Sequence, residues 1–131
     1  MSARVAVVIP TCRRPVLLAR CLDAVLAQDF DGDYAVIVVD DCGTDDTRAL
    51  VAALRPPSGR PSLHYLRPTQ AHGPAAARNC GWRAAGAELI AFTHDDTVPA
   101  PDWLRHGAAA MGPQPVGSRY AAVCGRVHVP V

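Results

Sequence analysis

Two pairs of adjacent carboxylates, each placed after an apolar run, are the side chains best suited to chemistry in this sequence. Asp40 and Asp41 follow the run 34–39, and Asp95 and Asp96 come shortly after the run 89–92. Adjacent carboxylates repel each other, and Mg²⁺ or Mn²⁺ relieves that repulsion while also binding phosphate oxygens. A carboxylate can also accept a hydrogen bond from a pyrimidine N–H or a ribose hydroxyl. The pairs are therefore candidates for a metal site and a nucleotide contact, although Asp also commonly caps turns.

The elements that would position these carboxylates are predicted from hydrophobic patterning. Continuous apolar, β-branched runs predict strands that are buried on both faces, as in parallel sheets. Between them, apolar residues recur at helical spacing, with Pro15 and Pro74 suited to first helical positions and Gly86 suited to a helix end. The order β-α-β-α-β-α-β-α-β is typical of an α/β protein with a doubly wound, mainly parallel sheet. The predicted strands cover residues 5–9, 34–39, 63–66, 87–93 and 120–129.

In such a sheet, ligands bind at the edge that the carboxyl ends of the strands share. The loop after the first strand adds Pro10, Thr11, Arg13 and Arg14 to that edge, and an arginine can fork onto a phosphate group. Gly73 opens a predicted helix whose first N–H groups could approach a ligand. A solvated arginine pair and an ordinary helix start are the alternatives.

The composition excludes several classes of protein. The chain has 131 residues and a formal net charge of +1, which predicts a single domain over residues 1–131 and argues against a nucleic-acid partner. All 13 basic residues are arginine, so no Schiff-base or P-loop lysine is present. No apolar run approaches the roughly 20 residues of a membrane span, and no signal peptide is visible. The five cysteines are widely spaced and odd in number, which predicts reduced thiols and a cytoplasmic protein.

Four motifs in order carry a resemblance to a known family. They read VVIPTCRR at residues 7–14, VVDDCGTDDT at 38–47, GPAAARNCG at 73–81 and AELIAFTHDDTVP at 87–99. Together they closely resemble the family 2 glycosyltransferases, which have the GT-A fold. The resemblance covers nearly the whole chain, and the order and spacing are more specific than any one motif.

The resemblance implies a metal-dependent transferase that binds a nucleotide-diphosphate sugar, with UDP as the expected nucleotide, and transfers the sugar with inversion to an acceptor hydroxyl. It implies that Asp96, in a DXD-type motif, binds Mn²⁺ or Mg²⁺ directly and that Asp95 contacts the ribose or the sugar. In the family, the loop after the first strand and the first Asp after the second strand hold the nucleobase. The residues predicted to contact the nucleotide are Pro10, Thr11, Arg13, Asp40, Asp41, Gly73 and Asp95.

The sequence departs from the family pattern at three positions. Cys12 stands where an aromatic residue often packs near the base, and Cys42 stands where the second motif usually has glycine. His94 replaces the first acid of a full DXD motif. These departures leave the means of base recognition open.

The acceptor side of the family is not recognisable in this sequence. No acidic residue follows Asp102, so the carboxylate base of inverting transfer is expected to lie outside these residues, and no catalytic residue is assigned. The acceptor and the oligomeric state are not predicted. The alternative function is a non-catalytic nucleotide-binding or interaction module. A nucleotidyltransferase is disfavoured, because the loop after the first strand is not rich in glycine.

Overall fold

A four-stranded parallel sheet organises the computed structural model, which describes residues 3–112 and 121–130. The strand order is β3-β2-β1-β4, and every neighbouring pair is parallel. The predicted parallel α/β sheet is therefore confirmed. The strands are β1 (Val5–Thr11), β2 (Tyr34–Asp40), β3 (Ser62–Leu66) and β4 (Leu89–Phe92).

The predicted fifth strand is not observed. Residues 121–130 are exposed and form no strand, and residue 120 lies outside the described residues. The alternation of apolar side chains in this segment was the basis of the prediction, with Val127 and Val129 among them. Both are more than 70% exposed. Alternation predicts a strand only where a neighbouring strand and a core are present to receive it, and this segment packs its valines against neither.

Four helices connect and follow the strands. They are α1 (Pro15–Leu26), α2 (Asp45–Leu54), α3 (Pro74–Ala85) and α4 (Trp103–Met111). Proline opens α1 and α3, where its missing N–H costs no helical hydrogen bond, and Gly86 ends α3 in the left-handed conformation with φ of 61°. Within residues 3–112 and 121–130, no helix is long and apolar enough to cross a membrane.

The sheet is covered on both faces, which explains its continuous apolar strands. Alternate residues of β1 point to opposite faces, so Val7 and Ile9 pack with α1 and α2, whereas Val8 packs with α3. The core on the α1 side is the larger of the two, and it also receives Leu104 of α4. The doubly wound arrangement predicted from the sequence is therefore confirmed.

Helix α3 approaches the sheet closely at Gly81. A Cβ atom at this position would collide with the side chain of Val8 and would also crowd Val39. Glycine is therefore required for α3 to lie against β1 and β2. This close packing places the first turn of α3 beside the carboxyl end of β2, where Asp40 and Asp41 lie.

Candidate functional site

The two acidic pairs meet through Thr11, the last residue of β1. Thr11 is the register partner of Asp40 in β2, and its carbonyl oxygen accepts the backbone N–H of Asp41 over 3.0 Å. On its other side, the Thr11 hydroxyl donates a hydrogen bond to the Asp95 carboxylate over 2.9 Å. The ends of β1 and β2 and the loop after β4 thus form one connected edge.

The two carboxylates of the second pair have different environments. The Asp95 side chain is 8% exposed, whereas that of Asp96 is 53% exposed. Arg14 lies between them, with its Nη1 atom 3.5 Å from Asp95 Oδ1 and 3.9 Å from Asp96 Oδ2. The guanidinium charge offsets the repulsion between the two carboxylates. Asp95 is held by protein groups, while Asp96 presents oxygens to solvent.

The donor atoms at this edge fit a cation that is shared with a phosphate-bearing ligand. Among residues 3–112 and 121–130, no three His, Cys, Asp or Glu side chains converge as a metal-binding group. Mg²⁺ and Mn²⁺ favour oxygen ligands, and Mg²⁺ is commonly held by one or two carboxylates together with substrate phosphates and water. Asp96 and the adjacent Asp95 supply that number of carboxylates. The set is too small for a closed all-protein cage.

Asp40 is fully buried, and its carboxylate is filled with hydrogen bonds from the protein. Oδ1 accepts the backbone N–H groups of Cys42 over 3.3 Å and Gly43 over 3.0 Å. Oδ2 accepts the N–H of Thr44 over 3.1 Å and the hydroxyl of Tyr65 over 2.6 Å. A carboxylate offers about four acceptor positions, so these donors occupy its capacity. Asp40 therefore anchors the loop after β2, and its predicted contact with the nucleobase stays a prediction.

Tyr65 is part of this site, although the sequence analysis did not select it. Burial, and then its hydrogen bond to Asp40, raise the pKa of Tyr65 to about 12. The guanidinium of Arg48 lies 5.7 Å from the centre of the Tyr65 ring. A tyrosine at the end of a predicted strand was the only available signal, and its meaning depends on the pairing of β3 with β2.

Asp41 connects the edge to the start of α3. Its Oδ2 accepts the backbone N–H of Gly73 over 3.0 Å, and its Oδ1 lies 3.1 Å from Nδ1 of His72. The φ angle of Gly73 is 101°, a conformation that favours glycine. The Asp41 side chain is 19% exposed, so this carboxylate remains reachable from solvent, unlike that of Asp40.

The remaining predicted residues are Pro10, near the end of β1, and Arg13, in the loop that follows it. Pro10 is half-buried and lies beyond Val5–Val8, the part of β1 that pairs with β4. Its missing N–H therefore falls where β1 no longer has a strand on both sides. Arg13 is exposed and has a positive φ of 54°, so its side chain is available at the edge without a fixed protein partner in the described residues.

A disulfide joins Cys12 to Cys42, so the prediction that all the thiols are reduced is wrong for these two residues. They are separated by 30 residues in sequence, but each follows a strand end, and β1 and β2 are neighbours in register. Their Cα atoms are consequently 5.1 Å apart, within the usual range for a disulfide. Cys21, Cys80 and Cys124 are free.

One cavity of the structure lies away from this edge. It has a volume of about 520 Å³ and opens near the amino ends of β2 and β3, beside Tyr34 and Ser62. None of the predicted site residues lines it. The candidate site is instead an open edge of the sheet, formed by Thr11, Asp41 and the Asp95–Asp96 pair.

Comparison with known proteins identifies the family to which this arrangement belongs. Residues 6–129 match the family model described as glycosyl transferase family 2. The chain belongs to this family. It is 33% identical over 122 residues to the GalNAc(5)-diNAcBac-PP-undecaprenol beta-1,3-glucosyltransferase of Campylobacter jejuni, covering 93% of this chain and 37% of that enzyme.

Solved structures of the family share the fold. The mannosyltransferase PcManGT from Pyrobaculum calidifontis, in complex with GDP-Man and Mn²⁺, is 30% identical with a TM-score of 0.73, covering 87% of this chain and 34% of that one. Staphylococcus aureus TarS 1-349, in complex with UDP-GlcNAc, is 26% identical with a TM-score of 0.70, covering 85% and 31%. The predicted GT-A fold is thus confirmed. The present chain spans about a third of the length of these family 2 relatives.

Proposed function

We propose that this family 2 domain binds a nucleotide-diphosphate sugar together with Mn²⁺ or Mg²⁺, as the donor site of a glycosyltransferase. The observation that carries the proposal is the different setting of two adjacent carboxylates at one sheet edge. Asp95 is buried and hydrogen-bonded to Thr11, while Asp96 faces solvent. Complexes of relatives with GDP-Man and Mn²⁺ and with UDP-GlcNAc support this choice of ligand class.

In this proposal Asp96 is the direct ligand of the cation and Asp95 contacts the ribose or the sugar. When bound, the cation stabilises the diphosphate leaving group as a Lewis acid. Arg14 lies beside both carboxylates and can fork onto a phosphate oxygen when a diphosphate arrives. Arg13, exposed in the same loop, adds positive charge to that side of the site.

Recognition of the base is assigned to the carboxyl end of β2. The oxygens of Asp40 are occupied by backbone N–H groups and by Tyr65, so Asp41 is the better placed of the two to accept a base N–H or a ribose hydroxyl. In place of the usual aromatic residue, the Cys12–Cys42 disulfide lies beside this position. UDP is the proposed nucleotide, and GDP is the comparison that tests it.

The transfer step needs a base within reach of the acceptor hydroxyl. Asp102 is the acid that follows the metal motif, and its Oδ2 already lies 3.0 Å from His106 Nε2 and 3.9 Å from Arg105. These contacts suit a charge at the start of α4 better than a catalytic base. We therefore assign donor binding to the present residues, and we assign none of them as the base for inverting transfer to an acceptor hydroxyl.

Isothermal titration calorimetry of UDP and GDP, with Mn²⁺ or Mg²⁺ and with EDTA, tests the proposal. We expect UDP to bind more tightly with metal than in EDTA. The variant Asp96→Ala should lose this metal dependence, whereas Asp95→Ala should keep part of it. Asp29→Ala is the matched control, because Asp29 is an exposed acid paired only with Arg105 in the described residues, and it should behave as wild type. Equal affinity with metal and in EDTA would overturn the metal assignment.

A donor-consumption assay with a panel of acceptors distinguishes the donor site of a glycosyltransferase from the alternative function, a non-catalytic nucleotide-binding module. Slow hydrolysis of the UDP-sugar without transfer is the expected result for this chain. Efficient transfer by these residues alone would show that they do supply a base. Binding without any turnover, in this chain and in a longer native product alike, would instead favour a non-catalytic nucleotide-binding module.

A further inference from the structure

We propose that the Cys12–Cys42 disulfide is a redox-controlled clamp on the donor site, and that its reduction lowers the affinity of the site for a nucleoside diphosphate. The inference rests on the proposed donor-binding function. Its geometric basis is the position of the cross-link. The hydrogen bond from Asp41 N–H to the Thr11 carbonyl joins the ends of β1 and β2, and the disulfide links the residues that directly follow these two.

Each cysteine belongs to a loop that carries site residues. Cys12 directly follows Thr11, the residue that holds Asp95, and it begins the loop that carries Arg14. Cys42 directly follows Asp41, and its N–H donates to Asp40. The disulfide therefore ties the loop that bears the phosphate-side arginine to the loop that bears the base-side carboxylate.

The two loops differ in what would hold them after reduction. The loop after β2 keeps three backbone hydrogen bonds to the Asp40 carboxylate. The loop after β1 contains Arg13 with φ of 54°, a conformation that is uncommon for a residue other than glycine. Without the cross-link, Arg13 is free to return to an ordinary conformation, and Arg14 is then drawn away from Asp95. The phosphate side of the site should consequently lose its order.

The chemistry is reversible thiol–disulfide exchange. A dithiol reductant attacks one sulfur as its thiolate, forms a mixed disulfide and closes on itself, so two electrons and two protons pass to Cys12 and Cys42 while the reductant becomes a cyclic disulfide. A small-molecule disulfide such as oxidised glutathione reverses the reaction. Cys12 is exposed, so the bond is open to such reagents. Cys21 is buried, and this burial raises its pKa to about 11, which keeps it out of the exchange.

The test compares oxidised and dithiothreitol-reduced chain in calorimetric titrations of UDP with Mn²⁺, with the cross-link established by mass mapping of alkylated peptides. Reduction should weaken UDP binding by about fivefold or more, because binding must then order at least one freed loop residue. Cys12→Ser should bind as the reduced chain does and should not respond to dithiothreitol. Cys124→Ser, which removes an exposed free cysteine, should behave as wild type in both redox states.

Hydrogen exchange of the loop amides, measured on the same samples, makes failure of this inference distinguishable from failure of the donor-binding proposal. Faster exchange at residues 12–14 after reduction, together with weaker UDP binding, supports the clamp. Equal UDP affinity in the two redox states overturns it and leaves donor binding intact. Absence of UDP binding in both states overturns donor binding and, with it, the role of the clamp, while the exchange data still show whether the disulfide orders the loop. Mass mapping that finds Cys12 and Cys42 unpaired after oxidation also overturns the inference.

Discussion

The hydroxyl of Thr11 donates a hydrogen bond to the carboxylate of Asp95 over 2.9 Å, across 84 residues of sequence. Both residues are buried, with relative exposures of 4% for Thr11 and 6% for Asp95. The bond fixes the position of the loop after β4 relative to the end of β1. Thr11 therefore acts on the proposed cation site by holding Asp95, in addition to any contact that it makes with the nucleotide.

Replacing Thr11 with valine should separate this positioning role from the fold. The change keeps the shape of the side chain and removes one hydrogen bond to a charged group, which should lower the free energy of unfolding by about 1.5–3 kcal/mol. In calorimetry, UDP affinity in the presence of Mn²⁺ should fall by about threefold to tenfold, equivalent to roughly 0.7–1.4 kcal/mol. Thr47→Val is the control, because it removes another buried hydroxyl, which pairs with Thr44 instead. If both variants retain wild-type UDP affinity, Thr11 has no positioning role.

Substitution by asparagine should affect mainly stability at Asp40 and mainly UDP binding at Asp41. Asp40→Asn places an N–H₂ group where backbone or Tyr65 donors now point, so we expect a loss of at least about 2 kcal/mol in the free energy of unfolding. Asp41→Asn keeps an oxygen for Gly73 N–H and should change stability by less than about 1 kcal/mol. It should nevertheless weaken UDP binding. Urea denaturation and calorimetry of the two variants provide the measurements, and a stable Asp40→Asn with unchanged unfolding would contradict the anchoring role.

The strands and the edge of the sheet that carries the site were predictable, because each depends on a pattern of residues that are close together in the sequence. Buried parallel strands produce continuous apolar runs, as in residues 34–39, and polar residues that follow such runs must lie at one edge. The separation of Asp95 from Asp96 into a buried and an exposed carboxylate needed the structure. It depends on contacts that Asp95 makes with the Thr11 hydroxyl and with Arg14, two residues that are distant from Asp95 in the sequence.

Features that depend on strand adjacency were not predictable. The Cys12–Cys42 pairing requires β1 and β2 to be neighbours in a register that aligns Thr11 with Asp40. The bond from Tyr65 to Asp40 similarly requires β3 to pair with β2. By contrast, apolar alternation predicted a strand over residues 120–129, and the described part of this segment, 121–130, forms none, because side-chain alternation alone does not supply a pairing partner.

Ionisation of Tyr65 should lower the stability of the folded chain at high pH. Its pKa is about 12 in the folded chain, against 10.0 for an ordinary tyrosine, so the folded state holds the phenolic proton more tightly than the unfolded state. The corresponding stabilisation is fully present below pH 10 and is lost as the pH rises from about 10 to about 12. Ultraviolet absorbance of tyrosinate should show a group that titrates near pH 12, and this group should disappear in Tyr65→Phe but remain in Tyr34→Phe. Tyr34→Phe is the control, since burial also raises the pKa of Tyr34 but without a contact to Asp40.

Gly81 provides the final prediction, because it tests the packing that brings α3 to the site. A Cβ at this position meets Val8 and Val39, both in the sheet core, so Gly81→Ala must push the helix outward or displace a β-branched side chain. Overpacking of this kind typically costs about 1–3 kcal/mol, and urea denaturation should show a loss of that size. Gly107→Ala is the matched control: it lies inside α4, a Cβ there has no neighbour within 4 Å, and alanine is the better helix former by about 1 kcal/mol. It should therefore leave stability unchanged or raise it.

A shift of α3 would also move Gly73 away from Asp41, so Gly81→Ala should weaken UDP binding as well, whereas Gly107→Ala should not. Equal stability of the two variants would mean that the contact between α3 and Val8 is looser than the structure shows.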